Sequence, residues 1–173
     1  MSGIVAGLVT AYVARNDLRD MAAAARGALM PSVALSRTDG ETELRRAWDG
    51  HYRADAAVNG VTMRMMFDTG ASMVLIPYED AARIGIDPAS LTYSMPVTTA
   101  NGRSSVAPIT IASIKIGQIA VFDVSAAVAH PGKLKTALLG MSFIDKLSET
   151  SFRGDRLILR QAGVGPERQI AGR

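Results

Sequence analysis

From residue 51 onward, short apolar runs alternate with turn signals, a pattern typical of β-strands. Apolar and polar residues roughly alternate along 51–58, and Asn59-Gly60 separates this run from a second one at 61–67. Asn-Gly predicts a hairpin because both residues accept a positive φ. Asn101-Gly102 predicts another hairpin in the same way. Further strands are predicted at 74–76, 95–99, 104–108, 109–116, 119–128, 137–139, 151–153 and 156–160.

Many short strands at this spacing predict an antiparallel barrel or sandwich. Within this strand-rich part of the chain, helical turns are predicted at 78–84, with Gly85 as the C-cap, and at 141–147. Trp48 precedes the first of the strands, and we expect it to anchor the core.

The segment before the strands predicts helix. Residues 2–14 form an uncharged apolar run that is shorter than the about 20 residues needed to span a bilayer. This run is compatible with a core helix, an interfacial helix, or the second half of a membrane anchor. Helical spacing continues along 16–29, and a polar stretch at 36–43 predicts a linker or exposed turn. We therefore divide the chain into a partial transmembrane or interfacial helix, a helical linker, the β domain and a loose tail: 1–15, 16–44, 45–161 and 162–173.

Composition narrows the chemistry. The 173 residues contain no cysteine, which excludes disulfides, thiol catalysis and cysteine-bound metals. Two histidines argue against a multi-histidine metal site, so we expect no metal and no cofactor. The net charge of +3 comes from scattered Lys and Arg residues, and this pattern does not indicate a nucleic-acid surface.

One motif carries chemistry. Residues 65–72 are M-M-F-D-T-G-A-S, so a predicted strand delivers Asp68 to a loop that continues with Thr69-Gly70. Gly70 lets the backbone N–H approach the carboxylate closely. A carboxylate held in this way can activate water beside a second carboxylate, because two close carboxylates share a proton.

This motif resembles the active-site segment of retropepsin-like aspartic proteases, in particular the bacterial membrane-anchored ones. Leu138-Leu139-Gly140 resembles the family's element that braces the catalytic loop, and the 101–102 hairpin stands where the family has its flap. The resemblance covers about two-thirds of the chain, residues 48–160. It implies an all-β, single-lobe, closed β-barrel of the acid-protease fold, with an N-terminal helical segment.

The resemblance also implies roles for individual residues. Asp68 would be catalytic, Thr69 and Gly70 would support its loop, and Ala71 would line the substrate cleft. Since one Asp-Thr-Gly occurs, the dyad would need a homodimer. The strand at 156–160 is expected to help build the dimer sheet. The flap tip would also bind substrate, through Thr99, Ala100, Asn101 and Gly102.

The implied function is an aspartic endopeptidase acting on peptides or proteins. The alternative is a catalytically silent dimeric binding or assembly module, and a third possibility is an unrelated barrel with a chance motif. The family resemblance places the protein at a bacterial inner membrane, with the β domain in the periplasm.

Overall fold

A computed structural model of the protein describes residues 34–36, 40–99 and 102–161, and these are mostly β-strand. The strands are β1 Leu35–Ser36, β2 Glu41–Arg45, β3 Arg53–Val58, β4 Val61–Phe67, β5 Val74–Ile76, β6 Met95–Thr99, β7 Gly102–Ile116, β8 Ile119–Ala129, β9 Ala137–Leu139, β10 Glu149–Arg153 and β11 Arg156–Arg160. The helices are α1 Tyr78–Ala81 and α2 Met141–Ile144, with 3₁₀ turns at Ala82–Ile84 and Pro88–Ser90.

The larger sheet closes into a barrel, as the family resemblance implies. It is mixed and not purely antiparallel as the strand pattern predicts, because β4 runs parallel to β9 and β5 runs parallel to β8. Its strand order is β3-β4-β9-β5-β8-β7-β6, and β3 also pairs with β7 through Val58 opposite Ile114. Side chains of β3 alternate between half-buried and buried, so one face of the strand points into the core. The core is almost entirely aliphatic, which agrees with the low aromatic content of 5%.

A second sheet has the order β1-β2-β11-β10 and corrects the predicted domain boundary. Residues 41–44 were assigned to the helical linker, but they belong to β2, which pairs with β11. Leu44 is fully buried, and the Thr42 hydroxyl donates a hydrogen bond of 3.2 Å to the carbonyl of Ile116 in the barrel. The sequence E-T-E-L-R shows no strand pattern. The strand forms because it pairs with β11, which lies more than 100 residues away in the sequence.

Strand β11 is internal to this sheet, with β2 on one side and β10 on the other. Both of its edges are therefore already paired within one chain. Its expected contribution to a dimer sheet stays a prediction.

Strand β7 is continuous, whereas the sequence predicts two strands that meet at 108–109. It pairs with β8 from Val106 to Ile116. Pro108 is tolerated because β6 pairs with β7 only as far as Val106, and β3 begins to pair at Ile114. In between, none of the described strands pairs with this edge of β7, so no strand there needs a proline N–H.

Trp48 is the clearest departure from the sequence analysis. It lies in the turn between β2 and β3 and is 98% exposed, so it does not anchor the core. Buried Tyr52 instead packs near Phe152, with ring centroids 5.6 Å apart. The predicted helix at 141–147 is also shorter than expected and covers only α2. By contrast, Gly85 ends the 78–84 turns in the left-handed conformation, as predicted.

The predictions for 1–33 and 162–173 lie outside the described residues. Where the structure describes the chain, no helix has the length and apolar character needed to cross a bilayer.

The end of β9 makes the closest backbone contact in the region of Asp68. A Cβ atom built on Gly140 would lie 2.2 Å from the carbonyl oxygen of Met73 and 2.7 Å from that of Ala71. Real Cβ atoms do not approach a backbone oxygen so closely. This position therefore requires glycine for steric reasons, although its φ of −89° suits any residue.

We predict opposite outcomes for two neighbouring substitutions. Leu44→Ala should lower the free energy of unfolding by about 2–5 kcal/mol, because it removes a fully buried side chain. Trp48→Ala should change it by less than about 0.5 kcal/mol. Urea denaturation followed by circular dichroism measures both. A large loss in the Trp48 variant would show that the turn is packed against the core.

Gly140→Ala should destabilise the fold by about 3 kcal/mol or more, because the added methyl group collides with backbone atoms that cannot move independently. Gly60→Ala is the matched control: its φ is +85° and nothing lies within 4 Å of the added carbon, so it should cost only about 1–2 kcal/mol. Equal losses of stability in urea would contradict the proposed contact.

Candidate active site

Asp68 leaves the barrel at the end of β4. Met65 and Phe67 point into the core, and the next residue is the first outside the strand. β4 runs parallel to β9, with Phe67 opposite Leu139, and the Asp68 N–H donates to the Leu139 carbonyl over 3.1 Å. The Asp68 side chain is half-buried. The parallel pair of strands therefore fixes where the carboxylate emerges.

A backbone donor holds the carboxylate in place. The Gly70 N–H donates to Asp68 Oδ1 over 2.8 Å, and the Ala71 N–H donates to the Asp68 carbonyl over 3.3 Å. A Cβ atom on Gly70 would lie 3.1 Å from the same Oδ1, which is closer than most such contacts. Thr69 and Gly70 are exposed. The loop thus orients the carboxylate through a backbone donor, and no charged side chain of the described residues pairs with it.

Backbone contacts brace the loop that follows Asp68. Strand β9 lies between β4 and β5, and Leu138 pairs with Leu75 of β5. The chain must therefore pass around the end of β9, where Gly140 is buried. The Met141 N–H then donates to the Ala71 carbonyl over 2.8 Å. Backbone hydrogen bonds thus connect the Leu138-Leu139-Gly140 element directly to the Asp68 loop.

Ser142 is a supporting residue that sequence reasoning missed. Its hydroxyl accepts a hydrogen bond from the Val74 N–H over 2.9 Å and donates one to the Ser125 carbonyl over 2.6 Å. Its own N–H donates to the Ser72 carbonyl over 3.2 Å. Ser142 therefore joins α2, the Asp68 loop and β8. No local pattern signals this role, because β8 approaches only in the folded chain.

The β6–β7 hairpin covers the opposite side of Asp68. Thr99 pairs with Gly102, and the Thr99 hydroxyl donates to the Gly102 carbonyl over 2.9 Å. Gly102 has a φ of +103°, which favours glycine. The other two predicted flap residues, Ala100 and Asn101, lie outside the described residues. The structure therefore places Thr99 and Gly102 at the end of a hairpin, as a flap requires.

A cleft of about 460 Å³ lies between the hairpin and the Asp68 loop. Predicted site residues Asp68, Gly70, Ala71, Thr99 and Leu138 line it together. Sequence reasoning did not identify the remaining lining residues, which are Leu75, Thr98, Arg103, Ser104, Lys133 and Leu134. Those on the hairpin, Thr98, Arg103 and Ser104, could have been inferred from its position.

A chamber of about 330 Å³ shares part of its wall with the cleft. Its apolar surface comes from Met73 in the Asp68 loop, Met95 and Val97 in β6, and Val106 in β7. Lys133 is the charged residue at its border. The chamber can therefore hold an apolar side chain beside the cleft.

A stacked aromatic pair supports the base of the hairpin. The Tyr93 ring stacks on His130 with centroids 4.3 Å apart, and the Tyr93 hydroxyl donates to the Pro88 carbonyl over 3.0 Å. His130 Nε2 and the Ser105 hydroxyl lie 3.1 Å apart, within hydrogen-bond distance. Burial raises the pKa of the Tyr93 phenol above its ordinary value, so the hydroxyl remains a neutral donor.

The turn that carries Trp48 is held by an ion pair. The Arg53 guanidinium donates to Asp49 Oδ1 over 2.8 Å, and this hydrogen bond holds the pKa of the Asp49 carboxyl well below its usual range. Asp49 therefore stays ionised and stabilises the turn, and it does not line the cleft.

The donor set of the cleft is that of an acid–base site. Among the cleft-lining residues in the described part of the chain, Asp68 alone carries a carboxylate. Nowhere in 34–36, 40–99 or 102–161 do three His, Cys, Asp or Glu side chains cluster as metal ligands would. The arrangement offers one oriented carboxylate, open to solvent, at the floor of a groove.

Known proteins share this arrangement. Residues 54–146, more than half of the chain, match the family model described as "gag-polyprotein putative aspartyl protease". The crystal structure of a retropepsin-like aspartic protease from Rickettsia conorii is similar with a TM-score of 0.65 and 37% identity, over 70% of this chain and 91% of that one.

Two bacterial relatives have similar sequences. The "Uncharacterized protein in cobV 5'region" of Sinorhizobium sp. is 41% identical over 161 residues, 91% of this chain and 69% of that protein. The "Uncharacterized protein RP867" of Rickettsia prowazekii is 36% identical over 152 residues, 88% of this chain and 65% of that protein. The chain thus spans about two-thirds of the length of these relatives.

The single-lobe barrel, the Asp-Thr-Gly loop at the end of β4 and the match over residues 54–146 lead to one conclusion: this chain belongs to the retropepsin-like aspartic protease family.

Proposed function

We propose that the protein is an aspartic endopeptidase that works as a homodimer, with Asp68 of each copy forming the catalytic dyad. One observation carries the proposal: a backbone-oriented carboxylate opens into a cleft whose described lining contains no second carboxylate. Activation of water by this chemistry requires two carboxylates that share a proton. A two-fold axis beside Asp68 would supply the second one from an identical loop.

The chemistry follows from that pairing. The ionised carboxylate takes a proton from a water molecule while the oxygen of that water attacks the peptide carbonyl carbon. The protonated carboxyl stabilises the carbonyl oxygen. The tetrahedral species then collapses. The C–N bond breaks, the amine nitrogen receives a proton from the dyad, and the new C–O bond remains in the product acid. The shared proton is restored in each cycle, so no further reactant is required.

The surface of one copy suits this assembly. Thr69 and Gly70 are exposed beside Asp68, so a second loop can approach without displacing a side chain from the core. In the described part of the chain, the outer edge of β10 has no partner strand, and Phe152 on that strand is 56% exposed. Its ring lies 6.3 Å from that of Phe67, which directly precedes Asp68.

The cleft suits an extended peptide. Strand β6 pairs with β7 on one side, and among the described strands no other pairs with it. Backbone groups of the hairpin and of the Asp68 loop therefore face each other across a groove. A peptide bound there in extended form can make strand-like hydrogen bonds while its side chains occupy the cleft and the chamber.

We also propose a bacterial inner-membrane location with the β domain in the periplasm. This part of the proposal is supported only by the apolar run at 2–14 and by the resemblance to membrane-anchored members of the family.

The dyad can be tested by mixing subunits. Asp68→Asn should abolish cleavage of an unstructured protein and leave the circular dichroism spectrum unchanged. When wild type and this variant are allowed to exchange subunits at constant total concentration, activity should fall with the square of the wild-type fraction. An equal mixture should therefore retain about a quarter of the activity, because only wild-type pairs carry two intact carboxylates. Mass spectrometry of the fragments gives the rate.

Asp145→Asn is the matched control, because Asp145 is exposed and lies outside the cleft. Its mixtures with wild type should keep full activity. A linear fall with the Asp68 variant would indicate that each chain acts alone. No cleavage by folded, dimeric wild type would favour a silent binding module instead.

A further inference from the structure

Two exposed cations line the cleft that contains Asp68. Arg103 and Lys133 line the same cavity as Asp68, and both side chains are exposed. Most described arginines elsewhere are paired: Arg160 lies 2.7 Å from Glu41 and 2.9 Å from Glu149, and Arg64 lies 2.9 Å from Asp55. Within the described residues, neither Arg103 nor Lys133 has a carboxylate within ion-pair distance. Their charges are therefore available to a ligand in the cleft.

The two cations come from different elements that meet only in the fold. Arg103 is on β7, opposite Thr98 of the hairpin, and Lys133 lies in the loop after β8. Three leucines line the same cavity, namely Leu75, Leu134 and Leu138. The pocket that contains Asp68 thus combines apolar side chains with two exposed cations.

The geometry points to a substrate preference: we propose that the cleft selects peptides with a carboxylate close to the bond that is cut. This inference rests on the proposed peptidase function and names its substrate class. The methylene groups of a glutamate would lie against the leucines, while its carboxylate would meet Arg103 and Lys133. Charge-assisted hydrogen bonds of this kind are stronger than neutral ones, and Arg can bind a carboxylate through two donors.

The neighbouring chamber refines the preference. Its apolar wall suits an aliphatic or aromatic side chain, and Lys133 stands at its junction with the cleft. A preferred substrate therefore combines an acidic side chain with an adjacent apolar one. In a two-fold dimer the second copy would present the same pair of cations at the other end of the groove. A peptide with acidic residues on both sides of the cleaved bond should therefore be cleaved better than a peptide with only one.

The carboxylate could also be the terminal one of a peptide chain, since its chemistry is the same. The test separates these two sources. Peptides of one extended, unstructured sequence are prepared with both ends blocked and with Glu or Gln at each position in turn. A further pair carries Gln throughout and ends in either a free acid or an amide. The ratio of kcat/KM within each pair measures recognition of the carboxylate alone.

We expect the Glu peptide to be cleaved about tenfold better than the Gln peptide at its best position, in low salt. The ratio should fall toward one as NaCl is raised from about 0.05 to 0.5 M, because salt screens exposed charges. Arg103→Gln combined with Lys133→Gln should reduce the ratio to less than about twofold. Lys115→Gln is the control, because Lys115 is an exposed cation on β7 outside the cleft, and it should leave the ratio unchanged.

A preference for the free acid over the amide, without a preference for internal Glu, would identify the chain terminus as the source of the carboxylate. Equal rates within all pairs would overturn the inference even though cleavage itself is normal. So would a Glu preference that persists in the double variant.

A binding arm keeps this inference separate from the proposed function. Fluorescence anisotropy measures the affinity of the Asp68→Asn chain for the same labelled peptides. If wild type cleaves nothing, tighter binding of the Glu peptide that is lost in the Arg103/Lys133 variant would still support carboxylate recognition, while the peptidase proposal would fail. Equal affinity for Glu and Gln peptides would overturn the recognition itself.

Discussion

The position of β9 between β4 and β5 is the constraint on which the site depends. Because β9 separates the two strands, the chain that connects them must pass around its end. The backbones then meet so closely at Gly140 that a single carbon atom would not fit. The first amides of α2 donate to the carbonyls of the loop, and the loop amide of Gly70 in turn donates to the Asp68 carboxylate. The pairing of β9 with β4 and β5 thus fixes the position of Asp68 Oδ1 through a series of backbone contacts.

The same arrangement leaves one oriented carboxylate among the described residues that line the cleft of a single copy. Under the proposed mechanism, the second acid–base group would come from the partner's identical loop. The loop is exposed where that group would approach, and the hairpin and the Lys133 loop form the other walls. Orientation, access and substrate contacts therefore arise from separate elements, which can vary independently of the barrel that carries them.

Sequence reasoning succeeded where the signal is local. Asn59-Gly60 and the M-M-F-D-T-G run report on backbone geometry within a few residues, and they predict the β3–β4 hairpin and the Asp68 loop. The closed barrel is implied by the family resemblance that the second run carries. Sequence reasoning failed where burial depends on distant partners. Glu41–Arg45 shows no strand pattern, yet it forms a strand that pairs with β11. Trp48 is a large apolar residue, yet its side chain is exposed to solvent. Ser142 becomes important only when β8 passes beside it.

The internal position of β11 also sets an order of events during synthesis. Strand β2 emerges early, but the strand that pairs with it ends at Arg160, so β2 lacks this neighbour until that residue has left the ribosome. Leu44 lies opposite Leu157 in this pairing and lacks that neighbour during this interval, when the nascent chain is exposed to association and to chaperones. The Asp68 loop has the same dependence on later synthesis, because the backbone around Gly140 that braces it is translated about 70 residues after it.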